Sequence, residues 1–277
     1  MASASGGVIG WEIDGRGPDL ILLHGSLTDR SCWEPLLPHL RDRHRVLSLD
    51  RRGRGLSVSV PPADDIATEV EDLARVIAAL GSPPHVCAWS FGAVVALEAA
   101  MTGVPMSRLI LYEPPLAPDE GAPARIHKRF SAFVSAGDPD GAAALFLLDG
   151  LGLPRVVVHA LRQGPGWPEV IRHVHTTGQE LAALEAYRCD PARLRGCRVP
   201  TLVLSGTLSA PPLKLAARRL AADLRDARLT MLEGHHHVAF RVDPVLFASI
   251  VSDFLASFGT GQARTSSRER GRRESAS

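Results

Sequence analysis

A serine set between two small residues is the first feature of this 277-residue chain that could do chemistry. Ser90 follows the apolar run Val86–Trp89, and Ala88 and Gly92 stand two positions before and after it. A serine on a tight turn from a strand into a helix projects its hydroxyl outward, and only small residues fit at those two positions. The alternative is a serine that simply caps a helix N-terminus, which is common. The pattern favours a nucleophile.

A histidine suited to act as a base lies near the other end of the chain. The run His235-His236-His237 follows the last strand-like segment and precedes a helix that begins near Pro244. A neutral imidazole can take the proton of a serine hydroxyl and pass it on. Three adjacent histidines could instead suggest a metal, but consecutive side chains in an extended loop alternate in direction and cannot all reach one ion. We therefore expect no metal site and no cofactor.

Two glycine-containing loops precede Ser90. Leu22–Leu27 is a strand that runs into a His-Gly turn, and Leu49–Ser57 carries the sequence Leu-Asp-Arg-Arg-Gly-Arg-Gly-Leu-Ser after the next strand. In this order, the loops, the serine turn and the histidine run resemble the α/β-hydrolase superfamily, whose nucleophile lies on a Gly-x-Ser-x-Gly elbow. Ala88 replaces the first glycine of that motif. We interpret Leu49–Ser57 as structural, since it lacks the Lys-Ser/Thr pair of a phosphate-binding loop.

The resemblance implies a role for each of these residues. Ser90 would attack a carbonyl carbon, and His237 would act first as a base and then as an acid. Members of the family have a proline shortly after the catalytic histidine. Counting back from Pro244 matches that histidine to His237, the last of the three adjacent histidines. The backbone N–H groups of Ser26 and Phe91 would form the oxyanion hole, with Leu27 as the alternative to Ser26.

The acid of the triad is the point at which this sequence departs from most of the family. Most members carry the acid after the next-to-last strand, but no carboxylate occurs here between Thr201 and Ala222. A subset carries it one strand earlier, and Glu113 stands there, directly after Leu109–Tyr112. Catalytic groups of open α/β sheets collect at the carboxyl ends of strands. We predict that Glu113 is the acid, the alternative being a solvated glutamate at a strand end.

The elements that must position these residues follow from the hydrophobic pattern. Short apolar runs predict seven strands, at Val8–Ile13, Leu20–His24, Val46–Leu49, His85–Trp89, Leu109–Tyr112, Thr201–Ser205 and Arg228–Leu232. Helical patterns alternate with the strands, which predicts an α/β fold with a mostly parallel, doubly wound sheet, as in the α/β-hydrolase fold. The first two strands are too close in sequence for a crossover helix, so we expect an antiparallel hairpin around Gly15–Gly17.

One segment interrupts this alternation. From Pro114 to Gly196 the sequence offers helical patterns and Gly/Pro turns but no good strand. We therefore expect an α/β-hydrolase core formed by residues 1–115 and 197–258, with residues 116–196 inserted as a helical cap. Residues 259–277 have no apolar period, and their Arg, Ser and Gly content predicts a disordered tail.

Composition excludes several classes of function. The 31 Lys and Arg against 30 Asp and Glu leave a net charge of +1, so no whole-chain field attracts nucleic acid or an anionic membrane. No apolar run is long enough to span a bilayer, the first residues lack the features of a signal peptide, and the four cysteines are scattered. We expect a cytoplasmic protein with a small-molecule substrate, no nucleic-acid or membrane partner, and an oligomeric state that the sequence leaves open.

The motifs and the resemblance together predict a serine hydrolase. Its substrate would be a carboxylic ester or lactone of medium size, cleaved through a Ser-His-Glu triad and an acyl-enzyme. The apolar character of the substrate is inferred from the segment 116–196, whose large side chains include Phe130, Phe133, Phe146 and Trp167. Two alternatives stay open: a C–C bond hydrolase or non-hydrolytic enzyme of small-molecule biosynthesis, and a non-catalytic ligand-binding protein. The intact Ser-His pair counts against the last.

We predict that Ser90→Ala abolishes turnover and leaves the fold intact. Loss of a triad nucleophile costs on the order of 10⁴ to 10⁶ in rate, whereas alanine is smaller than serine and fits the tight turn that Ala88 and Gly92 allow. Ester hydrolysis and labelling by a fluorophosphonate measure the effect, with circular dichroism as the control for folding. An unlabelled alanine variant that keeps most of the wild-type activity would show that the serine-acyl mechanism is wrong.

Overall fold

The computed structural model describes residues 2–4, 7–57, 60–61, 65–116 and 121–257. The strands formed within these ranges are β1 Ala2–Ala4, β2 Gly7–Ile9, β3 Trp11–Gly15, β4 Asp19–Leu23, β5 Arg45–Leu49, β6 His85–Trp89, β7 Arg108–Tyr112, β8 Thr201–Gly206 and β9 Ala227–Leu232. The tail predicted at 259–277 lies outside the described residues.

Helices separate most of these strands. They are α1 Leu37–Leu40, α2 Ile66–Leu80, α3 Phe91–Met101, α4 Gly121–Ser135, α5 Pro139–Leu145, α6 Arg155–Gln163, α7 Trp167–Arg172, α8 Val174–Ala186, α9 Pro191–Gly196, α10 Pro211–Asp223, α11 Ala239–Val242 and α12 Pro244–Ala256. Local signals set their ends: for α2, the Asp65 carboxylate accepts a hydrogen bond from the Thr68 N–H at 2.7 Å, and Gly81 ends the helix with φ +77°.

The main sheet confirms the predicted α/β architecture. Among the described residues it has seven strands in the order β3-β5-β4-β6-β7-β8-β9, and every neighbouring pair is parallel except β3 with β5. Apolar side chains alternate between its two faces: Ile21 and Leu23 of β4 face α2 and α3, whereas Leu20 and Leu22 face α12. Both faces are therefore covered, as the continuous apolar strands require.

The predicted hairpin around Gly15–Gly17 is wrong. β3 does form an antiparallel edge, but its partner is β5, because both edges of β4 are occupied by β5 and β6. The segment between β3 and β4 instead crosses the amino-terminal end of β5, so that β3 and β4 lie on opposite sides of β5. A Cβ on Gly15 would lie 2.3 Å from the carbonyl oxygen of Arg41, and Gly15 has φ +82°, so only glycine fits this crossing.

Residues 121–196, which we call the helical insertion, lie between β7 and β8. As described, this segment consists of α4 to α9 and a π-helical turn at Phe146–Gly150, and it contains no strand. Its buried apolar side chains form a core of their own, which also takes in Leu27 from the main fold; the larger members are Phe130, Leu145, Phe146, Leu147, Val158, Trp167, Val174 and Leu181. Phe133 is exposed and does not belong to this core. None of the helices described here is long and apolar enough to cross a membrane.

Candidate active site

Ser90 lies on the turn between β6 and α3 in a strained backbone conformation. Its φ of 55° and ψ of −125° lie outside the regions that side chains favour. The Ser90 N–H donates to the Tyr112 carbonyl at 2.9 Å, which ties the turn to the end of β7. Gly92 is required two positions later, because a Cβ there would lie 2.4 Å from the carbonyl oxygen of His24. The turn has the geometry of a nucleophile elbow.

Backbone strain is concentrated at one edge of the sheet. In the described part of the chain, the non-glycine residues with positive φ are Leu27 at 55°, Ser90 at 55° and Glu113 at 49°. They lie just beyond the carboxyl ends of β4, β6 and β7, which are adjacent in the sheet. Conformations of this kind cost free energy and cluster at functional sites, so this edge is the candidate active site.

Glu113 makes the contact that was predicted for the acid. Its Oε2 lies 2.6 Å from His237 Nδ1, and its Oε1 accepts hydrogen bonds from Ser205 Oγ and the Gly206 N–H, each at 2.8 Å. Burial raises the pKa of the Glu113 carboxyl, but the hydrogen bond from His237, the charge of His237 and the hydrogen bond from Gly206 outweigh it, so the pKa lies below its ordinary value. The carboxylate is therefore ionised although no part of it is exposed.

His237 presents its second ring nitrogen to the inside of the site. With Nδ1 on Glu113, Nε2 is buried and has no hydrogen-bond partner among the described residues. The ring centroid lies 5.2 Å from that of Trp89, the residue before Ser90, which places the imidazole beside the elbow. An imidazole held in this way has one nitrogen fixed by a carboxylate and the other available as a base.

The three adjacent histidines diverge rather than converge. His237 turns toward Glu113, whereas Nε2 of His235 lies 3.9 Å from an oxygen of Asp243. His236 takes part through its backbone, because its carbonyl oxygen accepts a hydrogen bond from the Tyr112 hydroxyl.

Side chains that the sequence analysis did not identify hold the histidine loop in place. The Tyr112 hydroxyl donates to the His236 carbonyl and accepts from the Ala239 N–H at 3.1 Å. Thr207 Oγ1 accepts from the Gly234 N–H at 2.9 Å. In the sequence, the only feature that could have suggested this role for Tyr112 was its position at the end of a strand, next to the candidate acid. Thr207 lies in the loop that carries the acid in most of the superfamily, and here that loop supports the histidine instead.

The two predicted oxyanion-hole residues flank the elbow. The loop after β4 packs directly on it, since a Cβ on Gly25 would lie 2.7 Å from Ser90 Cβ, and Ser26 is the next residue. Phe91 is the first residue of α3, and N–H groups in the first turn of a helix have no intrahelical partner. The positive end of the helix dipole also favours a developing negative charge there.

Within the part of the chain that the structure describes, one cluster of side chains could hold a metal ion. One ligand atom from each of Asp29, Glu169 and His173 lies within 4.8 Å of the others. Protein groups already engage these residues: Asp29 accepts from the Ser31 N–H at 2.8 Å, and Glu169 pairs with Arg172 at 2.8 Å. His173 Nε2 lies 3.6 Å from Asp29. We interpret the cluster as an electrostatic contact between the loop after β4 and the helical insertion.

Comparison with known proteins identifies the class to which this fold and site belong. Residues 20–250 match the Alpha/beta hydrolase family. The chain is 31% identical to a pimeloyl-[acyl-carrier protein] methyl ester esterase of Methylococcus capsulatus, over 89% of this chain and 98% of that relative. The chain belongs to the alpha/beta hydrolase family.

Solved structures agree with this assignment. An alpha/beta hydrolase from Sphaerobacter thermophilus is 33% identical with a TM-score of 0.80, covering 89% of this chain and 96% of that one. The esterase RhEst1 from a Rhodococcus species is 25% identical with a TM-score of 0.72, covering 91% and 95%. The predicted family, fold class and type of enzyme are confirmed.

We predict that Glu113→Gln lowers kcat by about 10⁴ while the protein stays folded, because an amide is isosteric but fixes the wrong tautomer and cannot stabilise an imidazolium. Steady-state hydrolysis of a nitrophenyl ester measures the change, with the melting temperature as the control for folding. Glu233→Gln, at an exposed position before the histidine run, is the matched control and should keep the wild-type rate. Near-normal turnover of the Glu113→Gln enzyme would contradict the predicted role of Glu113 and indicate catalysis by a Ser-His dyad.

Proposed function

We propose that this protein is a serine hydrolase that cleaves a carboxylic ester or lactone of a medium-sized, apolar substrate. The observation that carries the proposal is the 2.6 Å hydrogen bond between buried Glu113 and His237, beside the strained elbow at Ser90. A carboxylate, an imidazole with one free nitrogen and a projecting serine are the parts that acyl transfer needs.

In the proposed mechanism, Ser90 Oγ attacks the carbonyl carbon of the ester while His237 Nε2 takes the hydroxyl proton. The resulting oxyanion accepts hydrogen bonds from the backbone N–H groups of Ser26 and Phe91. Collapse of the intermediate breaks the ester C–O bond, and the imidazolium gives its proton to the departing alkoxide. Water then attacks the acyl-enzyme with His237 again as base, which releases the acid and frees Ser90. Glu113 holds the tautomer and stabilises the imidazolium throughout.

The helical insertion supports the apolar part of the proposal. Leu27, directly after Ser26, packs into the insertion's own core with residues such as Phe146 and Leu181. The insertion thus places aliphatic and aromatic side chains next to the residue that follows Ser26, and such side chains suit an acyl chain better than a charged group. We propose that the insertion is the cap over a core formed by residues 1–115 and 197–258.

The related esterase adds support for the bond type. The relative from Methylococcus capsulatus is named for a methyl ester on an acyl chain, and it aligns over nearly its whole length. Lactones undergo the same acyl transfer, with the alcohol remaining attached to the acid. The cytoplasmic location, the small-molecule substrate and the lack of a nucleic-acid partner stay predictions.

A series of nitrophenyl esters tests the proposed substrate class. We expect kcat/KM to rise by up to about fourfold per added methylene, from acetate to medium-length acyl chains, until the pocket is filled. The same enzyme with Ser90→Ala is the control for background hydrolysis. A flat series, or a preference for acetate or for charged acids, would contradict an apolar acyl site.

Turnover of esters and lactones, measured together with fluorophosphonate labelling, separates the alternative functions. A C–C hydrolase would label with a fluorophosphonate at Ser90 but turn over none of the esters and lactones at a useful rate. A ligand-binding protein would show neither labelling nor turnover.

A further inference from the structure

Two buried arginines and two buried glutamates meet between the main fold and the helical insertion. Arg51 makes two hydrogen bonds of 2.6 Å to Glu69 of α2, and its Nη2 also lies 2.6 Å from Oε1 of Glu180 on α8. Nη2 of Arg54 donates to the same Glu180 oxygen at 2.5 Å. All four side chains are more than nine-tenths buried, and we call them the buried ion cluster.

Glu180 is the member that balances the charges of the buried ion cluster. Glu69 compensates one guanidinium, and the second is compensated only when α8 brings Glu180 into place. Burial raises the pKa of Glu180, but the charges of Arg54 and Arg51 outweigh it, so its pKa is lowered and the group is ionised. Removal of one partner from such a pair leaves an uncompensated buried charge, which is strongly unfavourable.

The buried ion cluster also reaches both candidate oxyanion donors. The Ser26 N–H, which would hold the oxyanion, belongs to the same planar peptide group as the Gly25 carbonyl, so a donor that holds this carbonyl also orients the N–H. Arg51 Nη1 donates to the Gly25 carbonyl at 3.2 Å, and its guanidinium carbon lies 4.5 Å from the centre of the Phe91 ring. One network thus touches the residues on both sides of the proposed hole.

His24 links Arg51 to the loop after β4 by a second route. The Arg51 backbone N–H donates to His24 Nε2 at 3.1 Å, so the ring proton is on Nδ1, which donates to the Gly25 carbonyl at 2.9 Å. Burial, with the charges of Arg54 and Arg51, holds the pKa of His24 well below its ordinary value, and the ring stays neutral. The Gly25 carbonyl is therefore held by two donors, and the peptide that follows it has little freedom to rotate.

We propose that Glu180 of the helical insertion is a positioning residue for the oxyanion hole. It acts through Arg51, which holds the Gly25 carbonyl next to the Ser26 N–H and contacts the Phe91 ring, and it does not touch the reacting atoms. The insertion is then part of the catalytic geometry as well as a cover for the substrate, because the hole is fully ordered only when α8 is seated. The inference rests on the proposed serine-hydrolase function.

The first test is Glu180→Gln, which keeps the shape of the side chain and removes its charge. We expect kcat to fall between about 10- and 10²-fold, which is less than the loss of an oxyanion donor outright, with KM changed less than about threefold. Glu185→Gln, on the same helix but partly exposed and paired with His127, is the matched control and should keep wild-type kinetics. Rates are expressed per active site titrated with a fluorophosphonate, so that unfolded protein does not contribute.

The affinity of the enzyme for a boronic acid distinguishes a positioning role of Glu180 from a role in stability alone, because the second would leave this affinity unchanged. A boronate on Ser90 mimics the tetrahedral intermediate and places a negatively charged oxygen in the oxyanion hole, whereas a neutral alcohol with the same hydrocarbon chain does not. We expect the Glu180→Gln enzyme to bind the boronic acid more weakly by the same factor as its loss of kcat/KM, with unchanged affinity for the alcohol. Equal losses for both ligands, or for neither, would overturn the proposal.

A second variant decides the question if Glu180→Gln does not fold. Arg51→Lys keeps every charge of the buried ion cluster but lacks the planar fork that spans Glu69, Glu180 and the Gly25 carbonyl. We expect a several-fold loss of kcat, and where both variants fold, the double variant should be no worse than the poorer single one. Wild-type kcat in Arg51→Lys, or strictly additive losses in the double variant, would contradict the proposal.

The same assays separate this inference from the function on which it rests. If wild type turns over esters and Ser90→Ala does not, the proposed function stands, and an unchanged Glu180→Gln enzyme refutes the positioning role alone. If Ser90→Ala retains wild-type turnover, both the proposed function and this inference fail.

Discussion

The hydrogen bond between Glu113 and His237 is the interaction on which the rest of the site depends. It requires an ionised carboxylate with no exposure to water, and such a group is tolerated only when its other lone pairs are satisfied. Ser205 and Gly206 meet this requirement from β8, the neighbouring strand. The bond also requires the loop after β9 to reach back to the end of β7, and Tyr112 anchors that loop from the position just before the acid.

The position of Glu113, the candidate acid, changes what the loop after β8 must do. Since the carboxylate does not come from this loop, the loop and the strand end before it can support the site: Gly206, the last residue of β8, donates its N–H to Glu113, and Thr207, the first residue of the loop, accepts a hydrogen bond from the Gly234 N–H. The packing is close enough to demand glycine, since a Cβ on Gly206 would lie 2.1 Å from the His235 carbonyl. The acid, the histidine loop and the loop after β8 therefore form one unit, with each part fixed by the other two.

The sequence was sufficient where the constraint was local. The serine elbow needs small residues at fixed positions, and the contact of Glu113 with His237 could be predicted because the usual loop contains no carboxylate while Glu113 directly follows β7. The partner of β3 could not be found in this way, because pairing depends on which strand edge remains free after the whole sheet has formed. The burial of Glu180 could not be predicted either, because a glutamate within a helical pattern ordinarily faces solvent. Phe133 was expected among the apolar side chains of the cap but is exposed, because helix periodicity alone does not tell which face packs.

The most direct test of the serine-hydrolase assignment is a crystal structure of the enzyme after reaction with a phosphonate ester. The site described here predicts phosphorus bonded to Ser90 Oγ, with the phosphoryl oxygen about 3 Å from the backbone nitrogens of Ser26 and Phe91. It also predicts that His237 keeps its Nδ1 on Glu113 with Nε2 toward the adduct. An adduct on another residue, or a His237 ring that has left Glu113, would contradict the assignment.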